Sequence, residues 1–280
     1  MSTTTTAPRT VAVRPVTFPR VLKAEWLKLW SLRSTYWTLA ATVVAMVLMS
    51  LLMAFGASAS AEAGFDAGLD GQMVIGTSYA MAQLVIAVLG VLMMTGEYST
   101  GMIRSTLTAV PARVPALVAK AIVIAGVAFV VGVLGVALSY VVTMPMLGDA
   151  GGAADLGDPD TLRMFWGTGL YLAAVGLFGL AVGALLRHSA GALATVLGIL
   201  LLLPIVVQLA MGALEWLRDA YPYLPTTAGE RIVAVDSPGM DMQMAGLPEL
   251  LEPWTGLGVF AIYIAVALLA AAVLLRRRDA

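Results

Sequence analysis

Few residues of this sequence have the types and spacing that catalysis requires. The chain has no cysteine and a single histidine, His188, which excludes a thiolate nucleophile, a thiolate metal site and multi-histidine metal ligation within one chain. A nucleotide-binding P-loop needs Gly-Lys followed by Ser or Thr. The three lysines, Lys23, Lys28 and Lys120, follow Leu, Leu and Ala instead. We therefore expect no catalytic residue, no metal site and no ATP hydrolysis by this route in the chain.

The composition is that of a membrane protein. Hydrophobic residues make up 60% of the 280 residues and charged residues only 12%, about half the share usual in soluble domains. Six apolar runs each reach the roughly 20 residues that a helix needs to cross about 30 Å of hydrocarbon. They cover about residues 36–57, 73–95, 115–147, 162–186, 190–214 and 254–275. Because no strand alternation is sustained, we expect an all-α integral membrane protein with a six-helix transmembrane bundle.

The sequence ahead of the first run divides into two parts. Residues 1–17 lack apolar periodicity and predict a disordered lead, whereas residues 18–34 predict an amphipathic helix and residues 35–278 the six-span domain. Small residues at 57–61 resemble a signal-peptide cleavage site. However, more than thirty residues precede the apolar run, and the run exceeds the 7–15 residues typical of such signals, so we favour an uncleaved span.

Charge is distributed unevenly between the two sides of the expected bundle. When the loops are assigned alternately, one side receives 13 of the 16 basic residues but only three of the 17 acidic ones, Glu25, Glu97 and Asp279. Cytoplasmic loops of membrane proteins carry such an excess of Lys and Arg. We therefore expect a multi-pass protein of the cell membrane with both termini in the cytoplasm.

The central parts of the spans contain no Asp, Glu, Lys or Arg. This argues against ion-coupled transporters and voltage sensors, which need intramembrane charge, and against intramembrane hydrolases, which need acid–base pairs. Gln83, Tyr140 and Gln208 either line a substrate path or hydrogen-bond between helices. Gly179 and Gly183 form a GxxxG pair, suited to packing within the chain or to a dimer seam.

The amphipathic helix at residues 18–34 carries one acidic residue in an unfavourable place. Its basic residues lie opposite an apolar face that includes two tryptophans, a pattern typical of helices in the headgroup plane. Glu25 falls near the middle of the apolar face, where a free carboxylate would be costly. We expect a cationic partner for it, with Arg104, Arg113 and Arg33 as candidates, or a local pair with Lys28.

The loop between the second and third runs predicts a short cytoplasmic helix. Ser99 or Thr100 can cap its start, and it would end near Leu107 or Ala109. Pro111 would stop it, since proline interrupts helices. The helix would dock into a groove of a partner protein through Met102, Ile103, Arg104 and Leu107.

Two segments carry a specific resemblance. Glu97-Tyr98-Ser99-Thr100-Gly101-Met102-Ile103, then Leu107, Pro111, Arg113 and Lys120, resembles the E-[YF]-x-x-G-[TM]-[IL]…L…P…R…K pattern of ABC-2-type permeases. The helix with Glu25, Trp26, Lys28 and Arg33 is similar to the N-terminal connecting helix of that family. The resemblance covers about residues 19–278, and Met102 departs from the commoner threonine.

The resemblance implies an ABC-2 (type V) exporter fold with this chain as the permease subunit. Two permease chains, identical or different, would pair in the lipid, and separate ABC ATPase subunits would bind ATP and Mg. The short helix between the second and third runs is called the coupling helix below. Closure of the ATPase subunits would push the connecting helix and the coupling helix, and this would switch a central cavity from inward- to outward-facing. Residues 215–253 would form a lid near the exit.

Because the spans are uncharged, we expect an apolar or amphipathic substrate such as a drug, a peptide antibiotic or a lipid, and no nucleic-acid partner. The alternative function is a non-transporting membrane anchor or immunity partner that recruits an ABC ATPase through the same coupling helix. A lipid-modifying enzyme is disfavoured because the sequence contains no catalytic constellation.

Overall fold

The computed structural model describes residues 16–64, 70–109, 113–149, 153–234 and 248–277. Within these ranges every regular element is a helix. In this described part of the chain, six helical stretches are long and apolar enough to cross a membrane. The expected all-α six-helix membrane bundle is therefore confirmed, while most of the lead at residues 1–17 lies outside the described residues.

Twelve α-helices follow one another along these ranges. They are α1 Phe18–Ser31, α2 Arg33–Glu62, α3 Gly71–Gly76, α4 Tyr79–Ser99, α5 Met102–Ala109, α6 Val114–Asp149, α7 Pro159–Leu186, α8 Ser189–Leu197, α9 Leu203–Ala210, α10 Glu215–Ala220, α11 Pro225–Glu230 and α12 Pro253–Arg277. A π-helical turn, Gly198–Leu202, joins α8 to α9, and a 3₁₀ turn, Tyr221–Tyr223, precedes α11.

The six spans are built from these helices. Span 1 is α2, span 2 is α3 with α4, span 3 is α6, span 4 is α7, span 5 runs from α8 to α9, and span 6 is α12. Five spans are slightly longer than their apolar runs, because polar residues continue the helices beyond the hydrocarbon-length segment. Span 5 is shorter, and ends at Ala210 just before a turn that contains Gly212.

Local sequence signals set several helix ends. Asp70 Oδ1 accepts a hydrogen bond from the Met73 amide at 2.7 Å and caps the start of span 2. Asp158 caps span 4, with Pro159 in its first turn. Arg187 ends the same span in the left-handed conformation, with φ 57°.

Span 4 lies at the centre of the bundle and packs against spans 2, 3 and 6. Its contact with span 2 depends on glycine: a Cβ on Gly90 would lie 2.2 Å from the carbonyl oxygen of Gly176, and one on Gly179 2.5 Å from that of Ala87. The GxxxG pair therefore serves packing within this chain, since Gly183 also lies against span 2.

The two ends of the bundle carry different elements, and hydrogen bonds connect the loops at one of them. At one end, Arg113 Nη1 donates to the Leu275 carbonyl at 2.8 Å and Arg187 Nη2 to the Leu274 carbonyl at 3.4 Å. These contacts bring the loops before spans 3 and 5 onto the last turn of span 6. This end also carries α1 and α5 and is called the α1 end below. The far end carries α10 and α11.

Candidate functional site

Four charged side chains from three helices meet at the α1 end. Lys120, near the start of span 3, places its Nζ 2.6 Å from Glu25 Oε2 of α1 and 2.6 Å from Glu97 Oε1 in the last turn of span 2. Lys28 of α1 places its Nζ 2.8 Å from Glu25 Oε1 and 2.9 Å from Glu97 Oε1. These four residues are called the ion cluster below.

The ion cluster is buried and balanced in charge. The side chains of Glu25, Glu97 and Lys120 are 2%, 4% and 3% exposed, whereas that of Lys28 is 33% exposed. Burial by itself lowers the pKa of Lys28, but the hydrogen bonds and charges of Glu25 and Glu97 outweigh burial and raise that pKa above 10.5. Two carboxylates and two ammonium groups therefore compensate one another where water has little access.

The short helix α5 is attached to the same cluster. Lys28 Nζ donates to the buried Thr106 Oγ1 at 3.1 Å, so α5 is connected to α1 through a side-chain hydrogen bond. A cavity of about 10 Å³, room for about one water molecule, lies beside Glu97, Thr106 and Lys120. The ion cluster thus joins α1, α5, span 2 and span 3.

The expectation of a cationic partner for Glu25 is confirmed, but the partners in the structure are two lysines; of the three arginines named as candidates, the side chain of Arg104 lies outside the described part of the chain. The Glu25 carboxylate forms ion pairs with both Lys120 and Lys28, so the predicted local pair with Lys28 is one of its two ion pairs. Arg113 donates to a carbonyl of span 6, and Arg33 is exposed at the start of span 1. Lys120 reaches Glu25 because α1 packs against span 3.

The predicted caps of the coupling helix were also wrong. Ser99 and Thr100 both donate to the Gly96 carbonyl, at 3.1 and 2.8 Å, and so close the preceding helix α4. The chain then breaks at Gly101, whose φ of 70° lies in the left-handed region that glycine adopts without strain. The coupling helix therefore begins at Met102 and ends at Ala109.

The other predicted coupling residues have different surroundings. Tyr98 lies under the guanidinium of Arg187, 5.3 Å from the ring centre. Met102 is 44% exposed, but Ile103 is buried in the core and cannot join a docking surface as expected. Arg104 and Leu107 belong to α5, but their side chains, like all of Pro111, lie outside the described part of the chain.

The amphipathic helix buries a narrow stripe. Val21, Glu25 and Leu29 are buried at a spacing of four residues, so the carboxylate lies between two apolar contacts. Trp26 is exposed and its ring lies 5.5 Å from that of Trp30. An exposed tryptophan beside basic residues is typical of a helix at a membrane surface.

The three residues predicted for a substrate path do not form one site. Gln83 of span 2 accepts a hydrogen bond from the Tyr171 hydroxyl at 2.6 Å inside the bundle. The Tyr140 hydroxyl donates to the Ala154 carbonyl at 3.3 Å, next to the loop before span 4. Gln208 is exposed on span 5.

A bond between α11 and the middle of span 5 was missed by the sequence analysis. Pro204 cannot donate to the Leu200 carbonyl four residues earlier, because proline has no amide hydrogen. Thr226 of α11 supplies the missing donor, with its Oγ1 2.9 Å from the Leu200 oxygen. The proline signals that a donor is missing, but nothing in the local sequence indicates which residue replaces it.

Comparison with known proteins assigns most of the chain to a family. The sequence model of the family described as ABC-2 family transporter protein matches residues 21–204, about two thirds of the chain. This match includes all four residues of the ion cluster and the first five spans up to Pro204. A comparison with curated proteins gave no match.

Proposed function

The chain belongs to the ABC-2 family of transporter proteins, and on this premise we propose that it is the permease subunit of an ATP-driven exporter. In this proposal, two permease chains form the membrane part, and a separate ABC ATPase binds ATP and Mg. The α1 end faces the cytoplasm, where the ATPase docks. The substrate is apolar or amphipathic and leaves by alternating access.

The observation that carries the proposal is the ion cluster. An ATP-driven transporter must transmit movement of its ATPase at the membrane surface to the helices that line the substrate path. Lys120 and Lys28 connect α1 to the adjacent ends of spans 2 and 3 through charge-assisted hydrogen bonds, and Lys28 also donates to Thr106 of α5. A force on α5 or α1 would thus move both spans together.

The docking surface in this proposal is the exposed side of α5. Met102 is 44% exposed at the start of this helix, although Ile103 beside it is buried. An exposed, flexible methionine is well suited to fill an apolar groove of a partner. Helices that enter such grooves use a few apolar anchors on one face.

The test is co-expression with an ABC ATPase subunit from the same organism, followed by co-purification and measurement of ATP turnover. Met102→Glu should lower recovery of the ATPase at least about tenfold, since one unfavourable anchor commonly costs more than 1.4 kcal/mol. Leu156→Glu is the matched control, because Leu156 is 45% exposed but lies in the loop before span 4 at the far end. Equal recovery with both variants would contradict docking through α5.

A second measurement separates an exporter from a non-transporting anchor. Inverted vesicles that contain the complex should accumulate a lipophilic fluorescent dye when ATP is added. Accumulation should stop when the catalytic glutamate of the ATPase is replaced. ATPase recruitment without movement of any tested dye or lipid probe would favour the anchor function.

A further inference from the structure

At the far end, α11 carries a carboxylate into the bundle. Glu230 Oε2 accepts a hydrogen bond from the Tyr79 hydroxyl of span 2 at 2.9 Å. The Tyr79 ring meets the Tyr171 ring of span 4 edge to face, 5.1 Å between centres. Glu230 therefore lies where α11, span 2 and span 4 meet.

Close packing holds α11 in this position. A Cβ on Gly229 would lie 2.5 Å from the Phe260 ring of span 6 and 2.9 Å from the Tyr171 ring. The hydroxyl of Thr226 is also bound to the Leu200 carbonyl in span 5. The helix is thus in contact with spans 4, 5 and 6, and it holds Glu230, which is half-buried, beside Tyr79.

The groups that act on Glu230 come from several elements. Tyr79 donates a hydrogen bond to Glu230, and Arg231 follows Glu230 in the chain. Tyr171 and Tyr221 lie close enough to interact electrostatically with the Glu230 carboxylate. Burial raises the pKa of Glu230 from 4.5 to about 7, against smaller opposing effects of the Tyr79 hydrogen bond and the Arg231 charge.

We propose that Glu230 is a proton-binding site that holds α11 against spans 2 and 4, and that loss of the proton releases this helix. The proton comes from water at the far end and adds to one carboxylate oxygen, which leaves a neutral acid beside Tyr79. This function is additional to ATPase coupling and does not require it.

The direction of the pH effect follows from linkage. The packed state binds the proton more tightly than a released, hydrated state, so low pH favours packing. As pH rises from about 4.5 to about 7, the released state loses its proton first and becomes progressively more favourable. Above about pH 7 both states are ionised, and the preference no longer changes.

Release of α11 would affect span 5. If Thr226 moves away, the Leu200 carbonyl loses its donor next to Pro204, where the span already contains a π-helical turn. Such turns are frequent at functional positions in helices. The protonation of Glu230 would thus control the shape of span 5 near its middle.

The absence of cysteine makes a clean experiment possible. The rate at which maleimide labels a single cysteine at the fully buried position Ala228 reports release of α11. The labelling rate of a single cysteine at the exposed position Ala213 is the reference, because it changes with pH only through the maleimide reaction itself. The purified full chain in lipid nanodiscs, without ATPase, is labelled between pH 5 and pH 9. The ratio of the two rates should rise at least about tenfold and level off above about pH 7.

Three variants in the Ala228→Cys background test the assignment. Glu230→Gln, which is always neutral, should label slowly at every pH. Glu249→Gln removes an exposed carboxylate by the same substitution and should keep the original profile. Tyr79→Phe removes a hydrogen bond that lowers the pKa of Glu230, so the plateau should move to higher pH.

A flat ratio of the Ala228→Cys rate to the Ala213→Cys rate, or an unchanged profile when Glu230→Gln is added to Ala228→Cys, would overturn the proposal. If Glu230→Gln does not fold, Tyr79→Phe still decides, because a plateau that stays in place or moves to lower pH contradicts proton binding by Glu230. Since no ATPase is present, the outcome is independent of the permease proposal.

Discussion

The carboxylate of Glu25 and the ammonium group of Lys120 form a 2.6 Å ion pair between residues 95 positions apart. Both side chains are buried, so this pair fixes α1 against span 3 at one defined position. Burying charge is costly unless every partner is present. The pair therefore makes the attachment of the amphipathic helix sensitive to any change in the ion cluster.

Lys120→Met should lower the free energy of unfolding by about 3–5 kcal/mol, because it leaves two buried carboxylates with Lys28 alone. The measurement is thermal unfolding of the purified full chain in detergent. Lys23→Met, at an exposed position of the same helix as Lys28, should stay within about 0.5 kcal/mol of the original. Adding Glu25→Gln to Lys120→Met should recover part of the loss, and no recovery would contradict charge balance as its cause.

The contribution of Lys28 should depend on pH in one direction. Its pKa in the folded chain is raised above 10.5, so its stabilising effect is complete below about pH 10.5 and declines as pH rises through the folded value. The difference in unfolding midpoint between the original chain and Lys28→Met should be constant from pH 7 to pH 10 and smaller at pH 11. A difference that grows with pH would show that the ion pairs are not its source.

Gly90→Ala should destabilise the contact between spans 2 and 4. The added methyl would lie 2.2 Å from the Gly176 carbonyl oxygen, and overpacking of this kind typically costs about 1–3 kcal/mol. Gly126→Ala in span 3 is the control, because no atom lies within 4 Å of the position that its methyl group would occupy. Thermal unfolding should separate the two, and equal midpoints would show that the helices can move apart freely.

Thr226→Val should cost about 1–3 kcal/mol, because it leaves the buried Leu200 carbonyl without its hydroxyl donor. Pro204→Ala restores an amide hydrogen four residues after that carbonyl. The threonine substitution should therefore cost less in the Pro204→Ala background, and a double-mutant cycle measures the difference. Strictly additive effects would contradict a shared carbonyl.

Much of the bundle can be predicted from short stretches of the sequence. A span needs about 20 apolar residues in a row, and this requirement can be read without knowledge of any neighbour. The same holds for Glu25, since a carboxylate on an apolar helix face requires a cation wherever it lies. The missing P-loop and the absence of cysteine are likewise properties of the chain itself.

Which residues meet was decided by the packing of helices. Periodicity gives the face of a helix but not its neighbour, so the sequence did not distinguish Lys120 from three arginines as the partner of Glu25. It also did not place Glu230 against Tyr79, 151 residues away. Such contacts depend on how whole helices cross and on where glycines such as Gly90 allow close approach, and these are properties of the tertiary structure.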